Sequence, residues 1–177
     1  MNTFIESRAA PAGWTLLVGP RSLNTTLLNA IARLGEGGPL HILDGGNRFN
    51  AYGVARAARG CSEVLSRITV ARAFTCYQVL SLLESTPSTH IPLVILDLLS
   101  TFYDESVRAE ERKRLLRNCT RHLERLAGAS APLLISVHPP RLPSQAAVEL
   151  LGLLQASAAD TYFIQPEAQA PEPLSLF

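Results

Sequence analysis

Residues 14–26 read WTLLVGPRSLNTT, and the fold is decided here. Trp14 to Val18 are apolar or β-branched without a break, as in a strand buried on both faces. Gly19, Pro20 and Ser22 then turn the chain. From Thr25 to Leu34 apolar residues return at helical spacing, and Gly35, Gly37 and Gly38 are expected to stop that helix. Gly19 to Thr26 has the spacing of a phosphate loop, GxxxxGK[ST], in the strand–loop–helix setting such a loop requires. Gly19 stands at the first glycine and Thr26 at the hydroxyl that holds magnesium. Asn24 replaces the second glycine, and Thr25 replaces the lysine.

These replacements differ physically. Asparagine enters left-handed backbone angles more readily than most residues, so Asn24 is expected to preserve the loop's shape. The loop amides and the helix N-terminus are then expected to attract an anion. Thr25 carries no charge, so the β- and γ-phosphates lose their ammonium partner. Lys113 is the only lysine in the chain, and it lies within a long amphipathic helical pattern, out of reach. Arg21, inside the loop, is the available substitute. The plainer reading of residues 19–26 is an ordinary strand-to-helix turn; context and spacing favour the degraded phosphate loop.

Outward from this stretch, apolar runs alternate with helical patterns. Strands are expected at Leu40 to Leu43, Arg67 to Val70, Pro92 to Leu96, Pro132 to Val137 and Thr161 to Ile164. Helices are expected near Ala51 to Arg59, Tyr77 to Leu83, Val107 to Ala127 and Ser144 to Gln155. Doubly apolar strands separated by helices imply a three-layer α/β/α domain with a mainly parallel sheet. Ligands bind such sheets at the carboxyl ends of the strands. The domain is expected to span residues 14–164, after a lead of 1–13 and before a Pro-, Ala- and Glu-rich tail of 165–177.

Composition removes several classes of function. The chain has 177 residues, 47% of them hydrophobic, which suits one compact domain rather than a disordered chain. A net charge of +1 provides no global field for nucleic acid or membrane. Cys61, Cys76 and Cys119 are odd in number and widely spaced, which argues against disulfides or a zinc site and for a reducing compartment. No run of about 18 apolar residues is present, so no membrane partner is expected.

The strand PLVIL ends at Asp97. Four apolar residues followed by aspartate is the usual form of the second nucleotide motif, whose carboxylate holds magnesium. An aspartate at a strand end is more often a cap or loop residue, so Asp97 gains meaning only from the loop at 19–26. Hydrolysis also needs a group to orient water, commonly a carboxylate; Asp44 is available, but the positions just after it are Gly45 and Gly46. His138, after the strand LLISV, could sense a phosphate. A strand-end histidine facing solvent is the simpler expectation.

Taken together, the pieces GPRSLNTT, LDGGNRF, ITVARAFTCYQ, VILD and RAEERKRLLRNCTRHLERLAG resemble, in order and spacing, the ATPase core of the RecA/RadA recombinase family, in its RadA-like branch. The resemblance covers roughly residues 13–138, and ARAF with Gln78 and the LERLA ending carry it most specifically. It implies a RecA-like P-loop fold. Gly19 and Thr26 match phosphate-loop residues, and Asp97 matches the magnesium aspartate. The catalytic glutamate falls near Gly46 and the phosphate-sensing glutamine near His138. Active members carry a polymerisation segment in an N-terminal region, and with a short lead before Trp14 self-assembly into that type of filament is not expected. The pattern is similar to that of degenerate paralogues that serve as structural partners in DNA repair complexes.

The family's DNA-lining loops correspond to residues 100–108 and 139–144. Phe102 and Tyr103 are expected to offer stacking surfaces, although Asp104 and Glu105 beside them repel phosphates. Arg117, Arg121 and Arg125 recur every four residues as a basic stripe, and Arg141 adds a cation in the second loop. Such arginines suit DNA phosphates or a partner's carboxylates equally, or form an ordinary solvated face. At the C-terminus PLSLF resembles the bacterial sliding-clamp-binding peptide QLSLF, with Pro173 in place of glutamine. Leu174, Leu176 and Phe177 would be its anchors.

The expectation is a non-hydrolysing pseudo-ATPase, cytoplasmic and nucleoid-associated. It would act as an interaction subunit in DNA recombination, repair or translesion replication. No cofactor is expected, and magnesium-ATP is the one ligand its loop could attract. Its partners would be a repair or translesion protein, the sliding clamp and DNA. Two alternatives stand beside it: an active ATPase using Arg21, and a structural or signalling pseudo-ATPase unrelated to DNA.

Overall fold

The computed structural model describes residues 13–61, 63–129, 132–140, 142 and 144–165. Its elements run β1 (Thr15–Val18), α1 (Leu23–Gly37), β2 (Leu40–Asp44), α2 (Ala51–Ala57), α3 (Glu63–Ser66), β3 (Ile68–Arg72), α4 (Cys76–Ser85) and β4 (Leu93–Leu96). A 3₁₀ turn follows at Ser100–Tyr103, then α5 (Ala109–Ala127), β5 (Leu133–Val137), α6 (Gln145–Ser157) and β6 (Asp160–Phe163). The six strands form one sheet in the order β3-β2-β4-β5-β1-β6, and every pairing is parallel. This is the expected three-layer α/β/α architecture around a parallel sheet.

Side-chain alternation along the strands builds two cores. Leu16 and Val18 of β1, Leu93 and Ile95 of β4, and Leu133, Ile135 and Val137 of β5 pack with α4, α5 and α6. Leu17, Ile42, Val94 and Leu96 point the other way and pack with α1, α2 and α3. The first core also holds Trp14 and Phe102, 1% and 0% exposed. Polar caps start the helices where the sequence places them. The side chains of Asn50, Thr75 and Ser144 accept hydrogen bonds from the amides of Gly53, Gln78 and Ala147, at 3.0, 3.2 and 3.2 Å.

Two local expectations are corrected. Helix α1 is not stopped at Gly35 but continues to Gly37. Gly35 faces α3, where an added Cβ would lie 2.8 Å from Val64 Cγ1. The glycine thus permits close packing of two helices instead of ending one. His138 does not face solvent; it is 6% exposed. The three cysteines are free thiols, Cys61 exposed and Cys76 and Cys119 buried. Among the described residues no helix is long and apolar enough to cross a membrane. Residues 1–12 and 166–177 lie outside the described residues, so the lead, most of the tail and the anchors Leu174, Leu176 and Phe177 do too, as does Arg141.

Candidate functional site

Parallel strands bring their carboxyl ends to one edge, where Asp44 ends β2 and Asp97 and His138 follow β4 and β5. Asp97 is 2% exposed, and its backbone is in the left-handed region at φ 52°. Its amide donates to Ser136 Oγ at 3.0 Å, its Oδ1 accepts from the His138 amide at 3.1 Å, and its Oδ2 accepts from Arg48 Nε at 3.1 Å. His138 Nδ1 lies 3.4 Å from the same Oδ1, within ion-pair range. Burial pushes the Asp97 carboxyl up, but the side chain, charge and amide of His138 together with Arg48 outweigh it, and the carboxyl is held below its ordinary value.

Arg48 links this carboxylate to a second one. Its own amide donates to Asp44 Oδ1 at 2.8 Å, while Asp44 Oδ2 accepts from the Phe49 amide at 3.0 Å and from Arg72 Nε at 3.3 Å. Asp44 is fully buried. The result is a chain Asp97–Arg48–Asp44–Arg72 across the ends of β4, β2 and β3. Charge is neutralised along it, as buried carboxylates require. Polar atoms buried without a hydrogen-bond partner among the described residues include His138 Nε2, Thr101 Oγ1 and Tyr103 Oη. Burial, with Asp97's charge adding to it, pushes the Tyr103 hydroxyl above its usual pKa.

Gly46 sits directly over Asp97. A Cβ there would come within 2.6 Å of both Asp97 Cβ and Oδ2. Gly46, near which the resemblance would put a catalytic glutamate, therefore has no space for any side chain while Asp97 keeps its place.

The loop at 19–26 is a tight turn. Gly19 N donates to Val137 O at 3.1 Å, and Pro20 has no amide hydrogen. The amides of Leu23, Asn24 and Thr25 donate to the carbonyls of Pro20, Arg21 and Ser22 at 2.9, 3.1 and 3.3 Å. These are the groups an anion at a helix N-terminus would use. Asn24 is helical, since among the described residues those other than glycine with positive φ are Asn47, Arg59 and Asp97. The left-handed geometry expected at Asn24 is thus corrected: α1 starts at Leu23, two residues before the expected Thr25, and absorbs the position. Gly19 is explained by packing, because Ile164 O and Cβ lie 3.0 and 3.1 Å from where its Cβ would be. Arg21, Thr25 and Thr26 are exposed on the turn and the first turn of α1.

Of the expected contact residues, Phe102 is fully buried, so no base can reach it, and Tyr103 has its hydroxyl buried. The 3₁₀ turn at Ser100–Tyr103 folds that segment onto the first core, which corrects its reading as a stacking loop. Arg125 leaves the basic stripe. It donates to Leu83 O and Thr86 O at 2.9 and 3.0 Å and to Ser88 Oγ at 2.9 Å, tying α5 to the end of α4. Arg117 and Arg121 remain exposed, with no carboxylate partner among the described residues.

Neither Arg48 nor Ser136 has a role that the sequence alone assigns. The visible signal for Ser136 was a hydroxyl within an otherwise apolar strand, LLISV. Arg48 bonds a residue 49 positions away, which no local pattern announces. Compared with protein-family models and with curated proteins, the chain matches none.

Proposed function

We propose that this chain is a degenerate RecA/RadA-type domain that does not hydrolyse ATP and acts as an interaction subunit in DNA recombination, repair or translesion replication. The carrying observation is the state of Asp97. The carboxylate that would hold magnesium has one oxygen on the His138 amide and the other on Arg48. A cation would have to displace an arginine from a nearly dry site, at a cost of several kcal/mol. The spent amides at 23–25 and the closed space at Gly46 support the same reading. The link to DNA transactions rests on the resemblance of the five sequence pieces, and cytoplasmic, nucleoid-associated residence follows from that link.

The test is magnesium-dependent ATP turnover, together with calorimetric titration of the nucleotide. The expected result is no turnover above that of Asp97→Asn, and no saturable heat. Turnover that vanishes in Arg21→Ala would establish the active-ATPase alternative instead. The clamp contact is tested separately, by deleting residues 173–177. Capture by the sliding clamp should be lost, and unchanged capture removes that partner. Failure to bind DNA, clamp or any repair protein would leave the non-DNA alternative.

A further inference from the structure

Away from the strand ends, an open groove of about 350 Å³ runs between α5 and α6. Lys113 and Arg117 line one side, and Glu149, Gly152, Leu153 and Ala156 line the other. Helix α6 is unusual for a surface helix. Its sequence QAAVELLGLLQAS holds one charged residue, Glu149, and apolar side chains on every face. Helices of that kind are normally covered on all sides. Val148 is 57% exposed, and Gly152 and Ala156, one and two turns on, are exposed as well.

Gly152 is the informative residue. A glycine in mid-helix costs about 1 kcal/mol relative to alanine. The other glycines inside described helices, short of a helix's last residue, have a reason: Gly35 clears Val64, and Gly53 clears Leu28. At Gly152 nothing lies within 4 Å of where a Cβ would be. No neighbour within the described residues calls for its small size, and the space it leaves opens outward, into the groove.

The charges say what that space suits. Lys113 Nζ is already bound, at 2.7 Å to Glu149 and 3.2 Å to Glu110. Arg117, and Arg121 one turn further, meet no carboxylate among the described residues, and the Arg121 guanidinium touches only Asn118 Oδ1 at 3.3 Å. A floor of small apolar residues beside two unmatched guanidinium groups is complementary to a helix with an apolar stripe and an acidic flank. Small side chains at the contact let two helix axes approach closely, and guanidinium forks pair carboxylates in bidentate fashion. A second copy of this chain is a poor fit, because α6 offers one carboxylate and its own Lys113 holds it.

We propose that the α5–α6 groove is a docking site for an acidic amphipathic helix of a protein partner, seated on Gly152 and Ala156 and paired with Arg117 and Arg121. This deepens the interaction-subunit reading, and it rests on that reading only in taking the protein to work through a partner.

The test displays helical peptides of about 18 residues, five turns, with randomised outer faces, to the full chain. Enriched peptides should be acidic, with apolar residues at i, i+3, i+4 and i+7. Their binding should weaken with salt, and should fall about tenfold or more in Gly152→Leu and in the double variant Arg117→Glu with Arg121→Glu. Gly152→Leu should unfold at or above the wild-type temperature, because leucine favours a helix over glycine, and this separates a blocked groove from a damaged fold. No enrichment, neutral or basic winners, or binding indifferent to Gly152→Leu would overturn the site. So would a labelled single-stranded DNA that depends on the two arginines but not on Gly152, or a dimer of this chain that Gly152→Leu dissolves. ATP turnover would sink the non-hydrolysing reading and leave the groove standing; absence of acidic winners would do the reverse.

Discussion

A methyl group added at Gly46 would lie 2.6 Å from Asp97 Cβ and Oδ2, and one added at Gly152 would touch nothing. Gly46→Ala should therefore cost about 1–3 kcal/mol by overpacking, whereas Gly152→Ala should add up to about 1 kcal/mol by helix propensity. Urea unfolding of the two variants measures both, and equal shifts would contradict the geometry. Asp97 makes a pH prediction. Its folded pKa lies below the ordinary 3.8, so the unfolded chain takes up the proton first. Its contribution is complete above about pH 4 and is lost as the pH falls through the folded value. Asp97→Asn should flatten that acid slope. At neutral pH it should cost about 2–3 kcal/mol, because it leaves Arg48 unpaired in a half-buried site. An unchanged acid slope in the variant would show that other carboxylates govern acid unfolding. Asp97 was legible in the sequence as a strand-end carboxylate. What holds it was not, because Arg48 and His138 reach it through the tertiary fold.

At the scale of elements, the arginines of α5 separate by the neighbour each one faces. Arg125→Ala should lower stability by about 1 kcal/mol, since the α4 carbonyls lose a charged donor. Arg117→Ala and Arg121→Ala should stay within about 0.5 kcal/mol. Thermal unfolding of the three variants checks this, and equal effects would mean that the stripe is one surface after all. The four-residue spacing that the sequence shows is real, but spacing fixes only an angle around the helix. Which neighbour meets that angle depends on how α4 and α6 flank α5. The same limit explains Phe102, a residue in a loop pattern that turns inward because a 3₁₀ turn lays it on the core. Strands were more legible, since unbroken apolar runs such as PLVIL need two covered faces whatever lies upon them. Helix α1 was legible in kind but not in length, because Gly35 reads as a stop until α3 is seen against it.

The whole molecule unites what the sequence could state, a parallel three-layer sheet, with what it could not, the order β3-β2-β4-β5-β1-β6. That order puts β4 and β5 in the middle of the sheet, so Asp97 and His138 end up at its best-shielded edge. A nucleotide held there at one hundred times its Kd would add about 2.7 kcal/mol to stability. The expected outcome is no change in melting temperature with saturating magnesium-ATP, and a rise would count against the proposed function. The sheet also carries its own optical reporter. Trp14, the only tryptophan in the chain, is 1% exposed in the core beneath α4, α5 and α6. Selective excitation of that indole should follow denaturation of the central layer without any attached dye. Its emission should shift to the red only when the core opens, and ligands added at the outer surface should leave it dark to their arrival.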